Sequence, residues 1–301
     1  MLGQIEEFRP KLAQLGFSVT TPSVIQTLNE RELIELVPHH DGWIIGDDPA
    51  TFSVLSEGKN GRLRAIVKWG IGVDNVDMSA VSELGLKFSN TPGVFGSEVA
   101  DLALCYLLGL ARDAFYIDRE VRKGNWVKPA GISVSGKTIG IIGMGDIGRS
   151  IARRAQAHEL KVIGWDPYVQ ELPGFIELQE DWPIGLGRCD FLVFACALTP
   201  SNTHMFSSEV LPYLKQGVKV INVSRGPLID ETALVSGLES GLIASAALDV
   251  FESEPISGSN PLLTYPRCIL GSHNASNTIE GVSRASDKAV TLLGEFLLDG
   301  S

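Results

Sequence analysis

Residues 137–154 read Lys137-Thr138-Ile139-Gly140-Ile141-Ile142-Gly143-Met144-Gly145-Asp146-Ile147-Gly148-Arg149-Ser150-Ile151-Ala152-Arg153-Arg154, and this stretch decides the fold. A short apolar run leads into Gly-x-Gly-x-x-Gly, and an amphipathic helical pattern follows, the order a dinucleotide site needs. Gly143 permits a tight turn, Gly145 has no Cβ and lets a pyrophosphate approach, and Gly148 lets the helix pack closely on the strand. The helix start at Asp146 and Ile147 offers N–H groups and a positive dipole end to phosphate. A second apolar run, Lys161–Trp165, ends at Asp166, about 20 residues on, where a carboxylate can accept the adenine ribose hydroxyls. Pro167 and Tyr168 follow with no cation close behind. A 2′-phosphate there would meet like charge, so the expected cofactor is NAD rather than NADP.

Outward from this motif, apolar strand-like runs alternate with helical patterns, which predicts an α/β chain with parallel sheets. Thr138–Ile142, Lys161–Trp165, Phe191–Phe194, Lys219–Asn222, Ala246–Asp249 and Cys268–Leu270 predict a six-stranded Rossmann sheet. Upstream, the pattern predicts strands at Phe17–Thr20, Gly42–Ile45, Ala65–Lys68 and Lys87–Ser89. It also predicts helices at Leu28–Leu36 and from about Ser97 to Arg112. Ile5, Phe8, Leu12 and Leu15 make a helical pattern broken near Pro10, with no strand before it. The first domain is therefore expected to be flavodoxin-like but to lack its first strand. A last helix, Ile279–Leu298, should return to it. The expected domains are residues 1–91 with 275–301, for substrate, and residues 92–274, for the dinucleotide, with hinges near Pro92 and Ala275.

A formal net charge of −11 argues against nonspecific nucleic-acid binding. The longest apolar stretch, Leu102–Ala111, is interrupted and too short to span a bilayer, and no signal segment opens the chain. Cys105, Cys189, Cys196 and Cys268 show no metal-ligand spacing and read as reduced thiols. These features point to a cytoplasmic protein with no metal, no membrane and no nucleic-acid partner. Against so acidic a background, an anionic substrate needs a local cationic pocket.

Three predicted strand ends carry chemistry. Ser224-Arg225-Gly226 offers a planar two-pronged donor, Glu252-Ser253-Glu254-Pro255 a carboxylate, and Ser272-His273-Asn274-Ala275 an imidazole. Taken singly, each has a plainer reading: Arg225 paired with Asp230 or Glu231, Glu254 a solvated turn residue, His273 a loop hydrogen-bonder. Together, beside a dinucleotide crevice, they fit hydride chemistry. An Arg polarises a carbonyl, a His moves the hydroxyl proton, and a Glu raises the imidazole pKa.

At this point the chain resembles the D-isomer-specific 2-hydroxyacid dehydrogenases, in their phosphoglycerate-dehydrogenase-like branch. The resemblance rests on Gly70-Ile71-Gly72-Val73-Asp74, Asn90-Thr91-Pro92-Gly93, Leu198-Thr199-Pro200, Ser224-Arg225-Gly226, Asp249–Pro255 and Ser272-His273, which follow one another in family order. It implies an NAD-dependent enzyme interconverting a small anionic D-2-hydroxy acid and its 2-keto acid, possibilities including a 3-phosphoglycerate-like substrate. It implies Arg225, Glu254 and His273 as the catalytic set, and the Ile71 and Gly72 N–H groups as carboxylate binders. Cys196, Ala197, Val223, Asp249 and Ala275 would join the glycine loop around the cofactor, and Lys68 would offer a second cation at the pocket mouth. A homodimer through the nucleotide domains is also implied. Two departures stand out: Asn274-Ala275 replaces the family's usual Ile-Gly, and Gly46-Asp47-Asp48 stands where phosphoglycerate enzymes tend to carry a cation. An NAD(H)-sensing corepressor of the same fold is the competing expectation.

Overall fold

The computed structural model describes residues 2–24, 27–179 and 181–298. In chain order these form α1 (Ile5–Gln14), α2 (Glu30–Leu36), β1 (Gly42–Ile45), α3 (Phe52–Asn60), β2 (Ala65–Lys68), α4 (Met78–Glu83) and β3 (Lys87–Asn90). There follow α5 (Gly96–Arg112), α6 (Ala114–Arg122), β4 (Thr138–Ile142), α7 (Asp146–Ala157), β5 (Lys161–Trp165) and β6 (Ile176–Gln179). The chain ends with β7 (Phe191–Phe194), β8 (Val218–Asn222), α8 (Glu231–Glu239), β9 (Ile243–Leu248), β10 (Ile269–Leu270) and α9 (Ile279–Leu298). Two units emerge: Met1–Phe95 with Asn277–Ser301, and Gly96–Ser276. Residues 1, 25, 26 and 299–301 of the expected first domain lie outside the described residues.

In the first unit β1, β2 and β3 pair in parallel, in chain order. Every residue of β2 is buried, because helices cover both faces of the sheet. Alternation along the strand sends Ile66 toward Leu33 of α2, Val54 and Leu55 of α3 and Val81 of α4. Ala65 and Val67 face Ala289, Leu293 and Leu297 of α9. α2 starts at a capping box, in which Asn29 accepts from the Glu32 N–H and Glu32 accepts from the Asn29 N–H.

Two expectations fail here. The strand over Phe17–Thr20 does not form. Phe17 and Val19 are half-buried against the cluster of Phe8, Leu12 and Val290, and Ser18 and Thr20 are exposed. The period of two is real, but it belongs to an extended segment laid on α1 and α9 without a ladder partner. No strand precedes β1 among the described residues. Nor does Pro10 break the first helix. It lies on the exposed face of α1, and burial of Phe8 and Leu12 carries the helix through it.

The second unit is a parallel sheet of seven strands, in the order β10-β9-β8-β7-β4-β5-β6. From β4 the chain winds outward through β5 and β6, then crosses to β7 and winds the other way. The reversal between β4 and β7 is where an open α/β sheet leaves its ligand crevice. β6 adds a seventh strand to the six expected. It is an edge strand in which only Ile176 is buried, so its sequence lacks an apolar run. α5 packs along α7, joined by an ion pair of 2.6 Å between Arg154 Nε and Asp101 Oδ1. Among the described residues, no helix is long and apolar enough to cross a membrane.

Candidate active site

The three glycines of the motif do different work. Gly143 has φ +94°, and a Cβ there would lie 2.5 Å from the Cys196 backbone, so it lets the β4 and β7 ends touch. A Cβ on Gly148 would overlap the Gly143 carbonyl. Gly145 is unlike both. Its φ of −71° suits any residue, and nothing lies within 4 Å of where its Cβ would point. Packing does not require this glycine; an approaching ligand does. Gly145 is also the N-cap of α7, whose first turn no side chain caps. Open space before uncapped N–H groups at a helix start fits a pyrophosphate. Beside it Ile147 is half-buried, and Asp146 is exposed, set against Gly96 at the start of α5.

Asp166 stands at the end of β5 as expected. Its Oδ2 accepts the Met144 N–H at 2.8 Å and its Oδ1 accepts the Tyr168 N–H at 2.9 Å. Each oxygen keeps acceptor capacity for a ribose hydroxyl. Arg149 was not singled out by the motif, yet its Nε donates to the Met144 carbonyl at 2.8 Å. Its position in the first turns of α7 was the available signal. At the end of β7, Asn202 staples the loop, donating to the Ala197 carbonyl at 2.8 Å and accepting from the Thr199 N–H at 2.7 Å. The Cys196 carbonyl accepts the Ser224 hydroxyl. Burial pushes the Cys196 thiol up to about 11, and the Asp166 charge adds to this. Val223 is buried, its N–H on the Phe194 carbonyl at 3.3 Å.

Beyond β8, Asn222 folds its amide back, donating to the Arg225 carbonyl at 2.8 Å and accepting the Ser224 N–H at 3.1 Å. The Arg225 guanidinium donates to the Ser224 carbonyl at 2.9 Å. Asp230 caps α8 through the Thr232 and Ala233 N–H groups, and Glu231 holds the Glu252 N–H and the Asn260 amide. A Cβ on Gly226 would overlap the Phe251 carbonyl, so glycine here brings the turn after β8 against the loop after β9.

That loop delivers Glu254. Its Oε1 accepts the Phe251 N–H at 2.9 Å, and its Oε2 lies 2.7 Å from His273 Nδ1. An ionised carboxylate only accepts, so Nδ1 carries the hydrogen. Both side chains are about one-quarter exposed, at 24%. The structure thus joins Glu254 to His273 directly, with Arg225 following β8, the strand that pairs with β9.

Asp249 is buried, and its carboxylate is engaged by the protein. Oδ2 accepts the Ala275 N–H at 2.8 Å, and Oδ1 accepts the Tyr106 hydroxyl at 3.2 Å. Tyr106 belongs to the apolar side of α5, and helical periodicity marks it only as core. Burial, and then the Asp249 charge, push its phenol far above the usual range.

In the first unit, Lys68 departs from expectation. It is not solvated but 2% exposed, with Nζ donating to the Gly46 carbonyl and to Asp47 Oδ1 at 3.2 Å. Its position at the end of an interior strand, beneath the Gly46-Asp47 turn, buries the stem and brings the acid to the amine. Ile71 is exposed and its carbonyl accepts from Asn90 at 2.9 Å. Gly70, at φ +126°, turns the chain before Ile71 and half-buried Gly72, and donates to Thr91 Oγ1 at 2.7 Å. Among the described residues, no group of three or more His, Cys, Asp or Glu side chains is placed to hold a metal.

Residues 104–275 match the NAD binding domain model of the D-isomer specific 2-hydroxyacid dehydrogenases. The D-3-phosphoglycerate dehydrogenase of Methanocaldococcus jannaschii is 35% identical over 265 residues, covering 86% of this chain and 50% of that protein. The hydroxypyruvate reductase of Thermotoga maritima is 34% identical over 268 residues, covering 87% of each. This chain therefore spans about half the length of the first relative and most of the second. A crystal structure of a Thermus thermophilus protein superposes with a TM-score of 0.90 at 30% identity, over 98% of this chain and 94% of that one. The glycine cradle, the strand-end residues and these likenesses agree: the chain belongs to the D-isomer specific 2-hydroxyacid dehydrogenase family.

Proposed function

We propose that the chain is an NAD-dependent oxidoreductase that interconverts a small anionic D-2-hydroxy acid and its 2-keto acid. The observation that carries this reading is the 2.7 Å pairing of His273 Nδ1 with Glu254, with Arg225 following the neighbouring strand β8, on an NAD-binding domain. NAD(H), when bound, supplies or accepts the hydride. In reduction, His273 Nε2 gives its proton to the carbonyl oxygen; in oxidation it takes the proton from the hydroxyl. Glu254 holds the ring in one tautomer and favours the imidazolium. Arg225 polarises the carbonyl and pairs with the carboxylate. The N–H groups of α7 behind Gly145 hold the pyrophosphate. Asp166 receives the ribose hydroxyls and disfavours a 2′-phosphate.

The same reading gives residues 1–91 and 275–301 the substrate role, with the Ile71 and Gly72 N–H groups on the carboxylate. Lys68 supports no second anion, since its charge is bonded to Asp47. We therefore favour an unphosphorylated 2-keto acid such as glyoxylate or hydroxypyruvate over a phosphorylated one. A cytoplasmic homodimer, with α5 in its interface, completes the proposal. The test is NADH oxidation by the purified chain with glyoxylate, pyruvate, hydroxypyruvate and its 3-phosphorylated form. Turnover on an unphosphorylated acid is expected. Tight NADH binding with no turnover on any would replace the enzyme by an NAD(H)-sensing binding protein.

A further inference from the structure

His273 sits on a costly backbone, since φ is +54° and the residue is not glycine. Such a conformation persists only where the surroundings impose it. Here one buried residue does much of that work. The Asp249 carbonyl accepts the His273 N–H at 2.7 Å, and Asp249 Oδ2 accepts the Ala275 N–H at 2.8 Å. Both amides of the turn that carries the imidazole are therefore gathered onto Asp249, which is 1% exposed.

What fixes Asp249 comes from a distant part of the sequence. Its remaining oxygen, Oδ1, accepts the hydroxyl of Tyr106, a buried residue of α5, at 3.2 Å. Gly271 makes room for this contact. A Cβ at 271 would overlap both Asp249 Oδ1 and the Tyr106 hydroxyl. Gly271 has no positive φ to account for it, so the close approach of Asp249 and Tyr106 together is the reason glycine stands there.

We infer that Tyr106 is a positioning residue for His273, acting through Asp249 and admitted by Gly271. The phenol stays protonated far above working pH, because burial and the Asp249 charge both oppose its ionisation. It is thus a permanent donor to Asp249. Its loss frees Asp249 to rotate and loosens the His273–Ala275 turn, and with it the Nδ1 contact to Glu254. This inference rests on the proposed proton-transfer role of His273, but its first test does not need turnover.

The experiment compares wild type with Tyr106→Phe, which deletes only the hydroxyl. The imidazole nitrogens of His273, assigned with His273→Asn, are observed by ¹⁵N NMR. At a pH high enough to keep the ring neutral, wild type should show one locked tautomer with hydrogen on Nδ1, and the variant should move both nitrogens toward the average of two exchanging tautomers. With NADH and the best keto acid, kcat should fall roughly tenfold to a hundredfold, the scale of an ångström of misplacement. Unchanged nitrogen shifts overturn the inference whether or not the chain turns over substrate. Absent turnover with shifted nitrogens sinks only the enzyme reading. Hydrogen exchange on wild type is independent of the variant: the His273 and Ala275 amides should be protected, and exchange at the rate of an open loop would overturn the inference.

Discussion

Gly145→Ala separates a glycine kept for a ligand from glycines kept for the fold. The backbone at 145 suits alanine, and the new methyl meets no atom within 4 Å. Alanine is a poorer N-cap than glycine by about half a kcal/mol, so the ligand-free Tm should fall by no more than about 2 °C. The methyl projects about 1.5 Å from Cα, into the space that a pyrophosphate must enter. A displacement of that size breaks one or two charge-assisted N–H contacts, worth about 1.5–3 kcal/mol each before compensation. A net loss of about 2–4 kcal/mol raises the NADH Kd about 30- to 700-fold. Isothermal titration gives the Kd, and a thermal melt without ligand checks the fold. Gly143→Ala is the control: with φ +94° and Cys196 backbone 2.5 Å from the new carbon, it should cost stability before ligand is considered. An NADH Kd within about twofold of wild type in a well-folded Gly145→Ala would refute the cradle.

Further expectations concern charge, packing and thiols. Asp166→Ala should narrow the preference for NADH over NADPH mainly by weakening NADH, read as kcat/KM for each; an initial preference for NADPH would show that Asp166 does not receive the ribose. Glu254→Gln removes the negative charge beside Nδ1 and so favours neutral imidazole; the alkaline limb of the reduction rate should move to lower pH, and an unmoved profile would leave Glu254 only its turn-closing bond to Phe251. Gly226→Ala forces the loops after β8 and β9 apart, at a cost of about 1–3 kcal/mol in stability and about 10²-fold in kcat/KM; wild-type values in both would contradict the overlap with Phe251. Alkylation of the native chain should label Cys189 and Cys196 only slowly. Burial holds Cys189 up at about 12 and Cys196 at about 11, so early labelling of either would show that its surroundings are open.

The sequence made some of this legible because local chemistry dictated it. Gly143, Gly145 and Gly148 are unusual residues at a fixed spacing, and each has a geometric cause that holds wherever a strand feeds a helix over a phosphate. Arg225, Glu254 and His273 could be placed near one another because parallel strands end on one side of a sheet. Legibility stopped where a contact depended on partners far apart in the chain. Period-two burial at Phe17 and Val19 looks the same with or without a neighbouring strand, and only the packing of α9 shows that none is there. β6 is an edge strand, so burial left little mark on Glu177, Leu178 and Gln179. Lys68 ends an apolar strand, and its sequence position does not reveal that Asp47 folds over it. Tyr106 and Asp249 are 143 positions apart, and their contact needs a glycine at a third place.

One comparison bears on the proposed function as a whole: steady-state turnover of His273→Asn against wild type on the best 2-keto acid, with the NADH Kd measured in parallel. Removing the proton donor should lower kcat by roughly 10²–10⁴-fold while the NADH Kd stays within about twofold. Turnover near wild type in that variant would contradict the assignment of His273, and with it the reading of this strand-end cluster as an active site.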